Sequence, residues 1–341
     1  MDKIIVSVLL PMYNASAYIE EAVNSILHQT FTFFELIIID DCSLDNSLSI
    51  IEKLTDRRII IIKKEQRSGL SEGLNLGLRI AKGKYIARMD ADDISLPHRF
   101  EKQVQYMESH EDVILCGTWF QILGSNEKIK HPETHEAIAV ALLEYCAIGH
   151  PTVMFRKDFF IRKNLSYDKT KEPAEDHHLW ITACRFGKLY NIPEVLLKYR
   201  LHNGGVSISQ KQKQEIYSQK VKRLHLSLIY KDEIPQTDIT KNPVFDGLPF
   251  YEQKKYFKDF ISELEKANQI NERNVVFDKA FFTDFCLRKK KMIVKKWFLD
   301  SDEGSLKKLV IFLAPFTSYY RYFTNNNKAV VIFKCLNPYN W

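Results

Sequence analysis

Short apolar runs and amphipathic segments alternate along the first hundred residues of the chain. Four of the runs are apolar enough to be buried strands: Ile4–Leu10, Phe34–Ile39, Arg58–Ile62 and Tyr85–Met89. Between them, apolar residues recur at helical spacing over 19–27, 48–54 and 70–81. This alternation predicts βαβ units, a parallel sheet and helices on both of its faces.

Polar residues follow three of these predicted strands directly. They are Asn14, Asp41 and the acidic segment Asp90–Asp93. Ligands of open α/β sheets bind at the carboxyl ends of the strands. The three sites are therefore expected to lie along one ligand-binding edge.

The acidic segment carries the most specific chemistry. In an extended chain alternate side chains point the same way, so Asp90 and Asp92 share a face. Their mutual repulsion is relieved by a bound divalent cation. Magnesium and manganese favour such all-oxygen sites, with the phosphates of a substrate completing the octahedron. The spacing predicts a metal–diphosphate site.

The basic excess of the chain belongs to its C-terminal third. Residues 1–209 carry 25 basic and 28 acidic side chains, whereas residues 210–341 carry 24 and 15, within a net charge of +6. From about residue 211, amphipathic patterns such as Tyr256–Leu264 accompany basic clusters at Arg288–Lys291 and Lys295–Lys296. We therefore predict an α/β domain over residues 1–210 and a helical, basic region over residues 211–341.

Cysteine spacing and the lengths of the apolar runs bear on the compartment. The six cysteines are scattered without a CxxC pair, which indicates reduced thiols and argues against structural zinc. The first apolar run breaks at Pro11 without a small-residue cleavage site, so a strand is expected there and not a signal peptide. The longest apolar run, Leu309–Phe316, is too short to span a bilayer as a helix. We expect a cytoplasmic protein, soluble or peripheral on the inner face of the cytoplasmic membrane.

Five motifs, in order, resemble those of the family 2 glycosyltransferases with the GT-A fold. They are Val8–Asn14, Ile38–Ser43, Gly69–Leu78, Ala81–Asp93 and Glu175–Trp180. The resemblance implies an α/β/α nucleotide-binding sandwich as the catalytic domain, over residues 1–210, with a mainly helical basic extension. It also implies inverting transfer of a sugar from a nucleotide diphosphate donor with Mn²⁺ or Mg²⁺.

On the nucleotide side, the resemblance assigns the ends of the first two strands. Asp41 would accept the imide N–H of uracil, a donor that cytosine lacks. Pro11, Tyr13 and Asn14 would line the base pocket, with Tyr13 packing on the uracil ring. The alternatives are that Asp41 caps the helix after Ser43 and that Tyr13 is an ordinary packing residue.

At the diphosphate, Asp90 would hold the ribose hydroxyls and Asp92 the metal; the alternative is a solvated acidic turn. His202 lies where family members often place a histidine near the metal or diphosphate, although a strand-end histidine is commonly a surface residue. His150 would hydrogen-bond the acceptor or a phosphate, and Arg200 would face the diphosphate.

An inverting transfer needs a base that removes the proton of the acceptor hydroxyl. Asp176 fits the position of this base in the family. The alternatives are that Glu175 is the base and that Asp176 is a helix cap.

Basic and aromatic residues also alternate near the C-terminus, in Lys295–Phe298 and Tyr319–Phe323. Cationic stems beside tyrosine and tryptophan suit an anionic membrane surface. A basic helical bundle packed on the catalytic domain is the alternative.

These features predict a glycosyltransferase that moves a sugar, expected from a UDP-sugar, to a hydroxyl of a lipid-linked or saccharide acceptor in cell-surface polysaccharide or lipooligosaccharide assembly. The absence of GxGxxG after the first strand argues against a dinucleotide-dependent oxidoreductase, and the absence of a glycine- and basic-rich phosphate loop argues against a nucleotidyltransferase. No nucleic acid partner is expected, because nucleic-acid binding would leave the aspartates unexplained. The alternative is a non-catalytic sugar-nucleotide-binding relative or a basic nucleic-acid-binding protein.

Overall fold

The computed structural model describes residues 3–231, 235–245 and 248–297. The chain divides into two compact units, the first ending at Lys222 and the second beginning at Arg223. The C-terminal patterns Leu309–Phe316 and Tyr319–Phe323 lie outside the described residues. The five described cysteines are free thiols, as expected from their spacing.

One nine-stranded sheet forms the centre of the first unit. Its strands are β1 (Val6–Met12), β2 (Phe34–Asp40), β3 (Ile59–Lys63), β4 (Tyr85–Arg88), β5 (Ile94–Ser95), β6 (Val113–Ile122), β7 (Lys128–Ile129), β8 (Met154–Arg156) and β9 (Lys188–Tyr199). Their order is β3-β2-β1-β4-β8-β6-β9-β5, with β7 paired to β6. The first four strands are parallel, as predicted. Beyond them β8 runs antiparallel to β4 and β6, so the whole sheet is mixed.

Helices connect these strands and continue into the second unit. They are α1 (Ile19–Leu27), α2 (Ser47–Ile51), α3 (Leu70–Ile80), α4 (Arg99–Ser109), α5 (His135–Ala141), α6 (Lys157–Arg162), α7 (Glu175–Ala183), α8 (Val206–Ser209), α9 (Lys211–Ser227), α10 (Phe250–Asn274) and α11 (Lys279–Lys295). Among the described helices, none combines the length and apolar character needed to cross a bilayer.

Successive side chains of each strand point to opposite faces of the sheet. Both faces are buried, because helices pack on each of them. On one face of β1, Val8 and Leu10 belong to the same core as Ile19 and Ile26 of α1. On the other face, Leu9 lies in a second core with residues of α3 and α7. The predicted helix layers on both faces are therefore present. They hold the carboxyl ends of β1, β2 and β4 along one edge.

Helix α9 crosses the division between the two units. Its first turns belong to the α/β unit: the Gln214 side-chain amide donates to the Pro173 carbonyl oxygen at 3.2 Å, and Val221 is buried in the second core. The Ser218 hydroxyl hydrogen-bonds the His177 ring at 3.1 Å. The boundary predicted near residue 210 thus falls just before a helix that still packs on this unit. The change in sequence pattern there marks the start of a helix and not the end of the compact unit.

Within the second unit, α10 and α11 pack through aromatic side chains. Phe257, Phe260, Phe282 and Phe285 are all buried. The predicted amphipathic pattern around Tyr256–Leu264 is therefore the inner face of α10.

Three of the four cations in Arg288–Lys291 have partners within the second unit. Lys289 is 3% exposed and donates to the Thr240 carbonyl oxygen at 3.1 Å. Arg288 pairs with Asp284, and Lys290 pairs with Glu265 at 2.5 Å. Most of the positive charge of this cluster is therefore engaged in contacts within the unit.

Candidate active site

Three carboxylates converge directly after β4. Asp90, Asp92 and Asp93 each place one oxygen within 4.8 Å of the others. Asp90 and Asp92 are partly exposed, whereas Asp93 is fully buried and accepts a hydrogen bond from the Arg200 backbone N–H at 2.9 Å. The acidic segment is therefore a turn that is anchored by the buried Asp93 and leaves the other two carboxylates partly exposed.

A buried arginine holds the first of these carboxylates. The Arg88 side chain is 3% exposed and makes a two-pronged contact with Asp90, with Nη1 2.5 Å from Oδ2. Arg99 in turn donates to the Arg88 carbonyl oxygen at 2.7 Å and fixes the end of β4. Arg88 and Asp90 are two residues apart, so they can share a face where the chain is extended.

The cluster has the donors that a divalent cation requires. Asp92 Oδ2 lies 2.8 Å from Nε2 of His202, so the two residues predicted as metal ligands are in contact. In the described part of the chain, Asp93 Oδ2 is buried without a hydrogen-bond partner. Burial, and then the negative charges of Asp90 and Asp92, raise the pKa of Asp93 well above its usual range. A carboxylate- and imidazole-lined site with this excess of negative charge fits Mg²⁺ or Mn²⁺.

Arg200, the residue after β9, holds the acidic segment in place. Its Nε donates to the Asp92 carbonyl oxygen at 2.8 Å, and its guanidinium pairs with Glu21 and lies 4.6 Å from the centre of the Tyr18 ring. The predicted contact between Arg200 and a diphosphate stays a prediction.

The predicted base pocket lies at the ends of β1 and β2. Asp41 accepts hydrogen bonds from the backbone N–H groups of Ser68 at 2.9 Å and Gly69 at 3.1 Å, and it pairs with Lys64. It therefore holds the turn that enters α3. The alternative that Asp41 caps the helix after Ser43 is wrong, because Asp45 accepts the Ser47 backbone N–H there.

The other predicted base contacts surround this carboxylate. The Tyr13 ring faces the Arg67 guanidinium at 3.9 Å. Asn14 adopts a positive φ of 50° and accepts a hydrogen bond from the Leu44 backbone N–H at 2.8 Å, while Pro11 is a half-buried residue of β1. The structure thus brings Pro11, Tyr13 and Asn14 to the edge that carries Asp41.

Asp176 lies in the first turn of α7. Its Oδ1 accepts the backbone N–H of His177 at 2.6 Å, and its Oδ2 accepts the Cys146 thiol at 3.5 Å. Burial raises the pKa of Asp90, Arg88 lowers it, and the negative charges of Asp92 and Asp176 raise it further. Asp176 is therefore close enough to the acidic cluster to act on Asp90 electrostatically.

Glu175 differs from its neighbour in burial. It is 4% exposed, and burial, reinforced by the negative charge of Asp176, raises its pKa to about 8. Burial also raises the pKa of Asp176, although its side chain is only half-buried. At neutral pH Glu175 is consequently protonated, and it is poorly suited to accept a proton.

His150 lies in an enclosed aromatic environment. Its Nε2 hydrogen-bonds the Tyr167 hydroxyl at 3.1 Å, its Nδ1 is 4.0 Å from Glu175, and its ring meets Trp180 edge-on at 5.9 Å. Burial lowers its pKa well below the usual range, so the ring is neutral. The predicted contact of His150 with the acceptor or a phosphate stays a prediction.

Two residues at the site escaped the sequence analysis. Lys64 follows β3 and could have been found by the rule that identified Asp41, because both residues lie at carboxyl ends of parallel strands. Cys146 has no local signal, since it reaches Asp176 only through tertiary packing.

The sequence of this chain is similar to those of known glycosyltransferases. A sequence model of the family described as "Glycosyl transferase family 2" matches residues 7–184. An uncharacterized glycosyltransferase of Haemophilus influenzae is 37% identical over 237 residues, covering 65% of this chain and 73% of the relative. A UDP-Glc:alpha-D-GlcNAc-diphosphoundecaprenol beta-1,3-glucosyltransferase of Escherichia coli is 32% identical over 210 residues, covering 60% of this chain and 81% of the relative.

Solved structures share the fold. TarS 1-349 of S. aureus, in complex with UDP-GlcNAc, matches with a TM-score of 0.58 at 17% identity, covering 86% of this chain and 91% of TarS. The mannosyltransferase PcManGT of Pyrobaculum calidifontis, in complex with GDP-Man and Mn²⁺, matches with a TM-score of 0.53 at 17% identity. The match covers 97% of this chain and 86% of PcManGT. The expected GT-A fold is confirmed.

Proposed function

Because the chain belongs to glycosyl transferase family 2, we propose that it transfers a sugar from a UDP-sugar to a hydroxyl of a lipid-linked or saccharide acceptor, with inversion. The observation that carries this proposal is the pairing of Asp92 with His202 in an acidic cluster that faces Asp176. The Escherichia coli relative, by its name, uses UDP-Glc and a diphosphoundecaprenol-linked sugar, which supports this choice of substrates.

The donor is held by the strand ends. Asp41 accepts three hydrogen bonds, from Lys64, Ser68 and Gly69, and the Arg67 Nε lies 4.0 Å from its Oδ2. A carboxylate has about four acceptor positions, so one remains for the uracil imide N–H. The Tyr13 ring offers a stacking surface for the base, with Pro11 and Asn14 beside it. Asp90 accepts the ribose hydroxyls, while Arg88 orients its carboxylate and favours the ionised form.

Asp92 and His202 would hold the divalent cation, Mn²⁺ or Mg²⁺. Bound there, the ion supplies Lewis-acid stabilisation of the negative charge on a departing diphosphate. Arg200 contributes by holding the backbone of the segment that carries Asp92.

Asp176 removes the proton from the acceptor hydroxyl. The His177 backbone N–H and the Cys146 thiol fix the orientation of its carboxylate. Its raised pKa makes it a stronger base than an exposed aspartate.

We place this reaction in cell-surface polysaccharide assembly at the inner face of the cytoplasmic membrane. Other relatives support the setting by name, among them an O-antigen biosynthesis glycosyltransferase of Escherichia coli and an amylovoran biosynthesis glycosyltransferase of Erwinia amylovora.

A donor panel tests the proposal. Release of nucleotide diphosphate is measured from UDP-, GDP- and TDP-sugars, with Mn²⁺ or with EDTA. We expect release from a UDP-sugar with Mn²⁺, its loss with EDTA, and its loss in Asp92→Asn. Calorimetry should show that Asp92→Asn also loses Mn²⁺-dependent binding of UDP. Unchanged release in EDTA, or unchanged UDP binding by Asp92→Asn, would contradict the assignment of the metal.

A further inference from the structure

Four rings of the first unit form a continuous series of contacts and take no part in the chemistry described above. Tyr199 lies 5.5 Å from Phe120, Phe120 lies 5.7 Å from His131, and His131 stacks on Tyr145 at 6.1 Å, all measured between ring centroids. We refer to Tyr145, His131, Phe120 and Tyr199 as the ring row.

The two terminal residues of the ring row precede, in the sequence, residues that contact the two halves of the proposed active site. Tyr145 directly precedes Cys146, whose thiol contacts the carboxylate of Asp176. At the other end, Tyr199 directly precedes Arg200, which holds the backbone of Asp92. Each end of the ring row is therefore one residue along the chain from a side chain that contacts the proposed base or holds the acidic cluster.

The ring row combines accessible apolar area with polar groups. Tyr145 is 45% exposed, and Phe120 and Tyr199 are half-buried. His131 is 9% exposed, and its Nδ1 has no hydrogen-bond partner among the described residues. A neutral imidazole nitrogen of this kind gains from a hydroxyl partner, since a buried polar atom left unpaired is destabilising.

We propose that the ring row is the acceptor subsite and binds the sugar ring that carries, or precedes, the accepting hydroxyl. A sugar presents an apolar C–H face, which packs on aromatic rings, and hydroxyl groups around its edge, which suit His131. This mixed surface fits a saccharide better than a hydrocarbon chain, which has no polar partner for His131. The inference rests on the proposed function, since Asp176 locates the reacting hydroxyl.

The test uses the whole protein and separates acceptor binding from donor binding. Saturation-transfer NMR with UDP and Mg²⁺ present follows the methyl glycosides of glucose, galactose, N-acetylglucosamine and N-acetylgalactosamine, with dodecyl phosphate as a lipid probe. The variants are Phe120→Ala, Tyr145→Ala and the conservative Tyr145→Phe. Phe186→Ala is the matched control, because Phe186 is an aromatic residue with a similar exposure of 46%.

We expect at least one glycoside to receive saturation from the unchanged protein. Phe120→Ala and Tyr145→Ala should weaken its binding about tenfold, whereas Tyr145→Phe and Phe186→Ala should retain it. The proposal is overturned if no glycoside binds, if all variants bind alike, or if only dodecyl phosphate shows the loss.

Calorimetry of UDP with Mg²⁺ on each variant distinguishes a failure of the acceptor subsite from a failure of the proposed function. If UDP binds and no glycoside binds, only the assignment of the ring row as acceptor subsite is wrong. If UDP does not bind, the proposed donor is wrong.

Discussion

Two neighbouring carboxylates at this site differ in their surroundings. Glu175 is enclosed, and its pKa rises to about 8, while the adjacent Asp176 keeps contact with solvent and accepts two hydrogen bonds. The proposed roles of the two residues therefore depend on environment and not on residue type. This difference lets two similar substitutions be told apart.

Asp176→Asn should lower kcat by about 10²–10⁴-fold, because an amide cannot take the proton of the acceptor. Glu175→Gln should change kcat only a few-fold, since glutamine resembles the protonated acid that is already present. Transfer rates and UDP calorimetry on both variants provide the check. If Glu175→Gln proved the more damaging change with UDP binding intact, the roles of the two residues would have to be exchanged.

Glu175 should also make stability depend on pH. Its pKa rises from 4.5 to about 8 on folding, so the folded protein binds more protons between these values. The contribution is fully present below pH 4.5 and is lost as the pH rises toward about 8. Thermal unfolding followed from pH 5 to pH 8.5 should show a smaller decline for Glu175→Gln than for the unchanged protein. Parallel declines would count against a protonated Glu175.

The sequence predicts those site residues whose position follows from their own strand, and it does not predict those placed by contacts between distant segments. Asp90, Asp92 and Asp41 follow apolar runs, so strand periodicity alone brings them to one edge. Cys146 could not be predicted, because its contact with Asp176 joins segments 30 residues apart through packing.

At the level of elements, α3 packs closely on the sheet through Gly77. A Cβ added there would lie 2.8 Å from Leu9 Cδ2 and 3.2 Å from Ile39 Cδ1, two atoms of the buried core. Gly73, one turn earlier in the same helix, would place its Cβ 3.5 Å from Ile39 Cγ2, an ordinary contact. The two glycines therefore serve different purposes.

Gly77→Ala should destabilise the protein by about 1–3 kcal/mol, since the added methyl overpacks a core that is already dense. Gly73→Ala should be neutral or stabilising by up to about 1 kcal/mol, because alanine favours the helix and has room. Urea denaturation of both variants measures the difference. Equal destabilisation by the two changes would show that space beside Leu9 does not decide the outcome.

Local patterns predict the first half of the sheet better than the second. The four predicted strands reappear as β1–β4 with small shifts at their ends. In contrast, β6 continues six residues beyond its apolar start, Val113–Cys116, and β9 carries polar residues and a proline among its apolar ones. These two strands pair with each other in parallel with three register irregularities. Their extent depends on a partner distant in sequence, which no short window records.

For the whole molecule, the uneven charge limits the possible partners. The second unit uses Arg288, Lys289 and Lys290 in internal contacts, whereas Lys291 and Lys295 are exposed. Membrane association, if it uses the described part of this unit, has to rely on such exposed cations.

The full chain should pellet with vesicles containing anionic phosphatidylglycerol at low salt and be released as salt screens the attraction. Lys291→Gln with Lys295→Gln should reduce the pelleted fraction. The matched control, Lys53→Gln with Lys82→Gln, replaces exposed lysines of the first unit and should leave pelleting unchanged. Equal loss in both pairs would mean that only net charge matters.

The position of α9 has a practical consequence for exchanging C-terminal regions between relatives. A chimera joined at residue 210 would replace Gln214 and Ser218, which brace the segment and helix that carry Asp176. Its loss of turnover would then be mistaken for a change in substrate preference. A junction placed after Lys222 keeps those braces native, so the exchange reports on the grafted region alone.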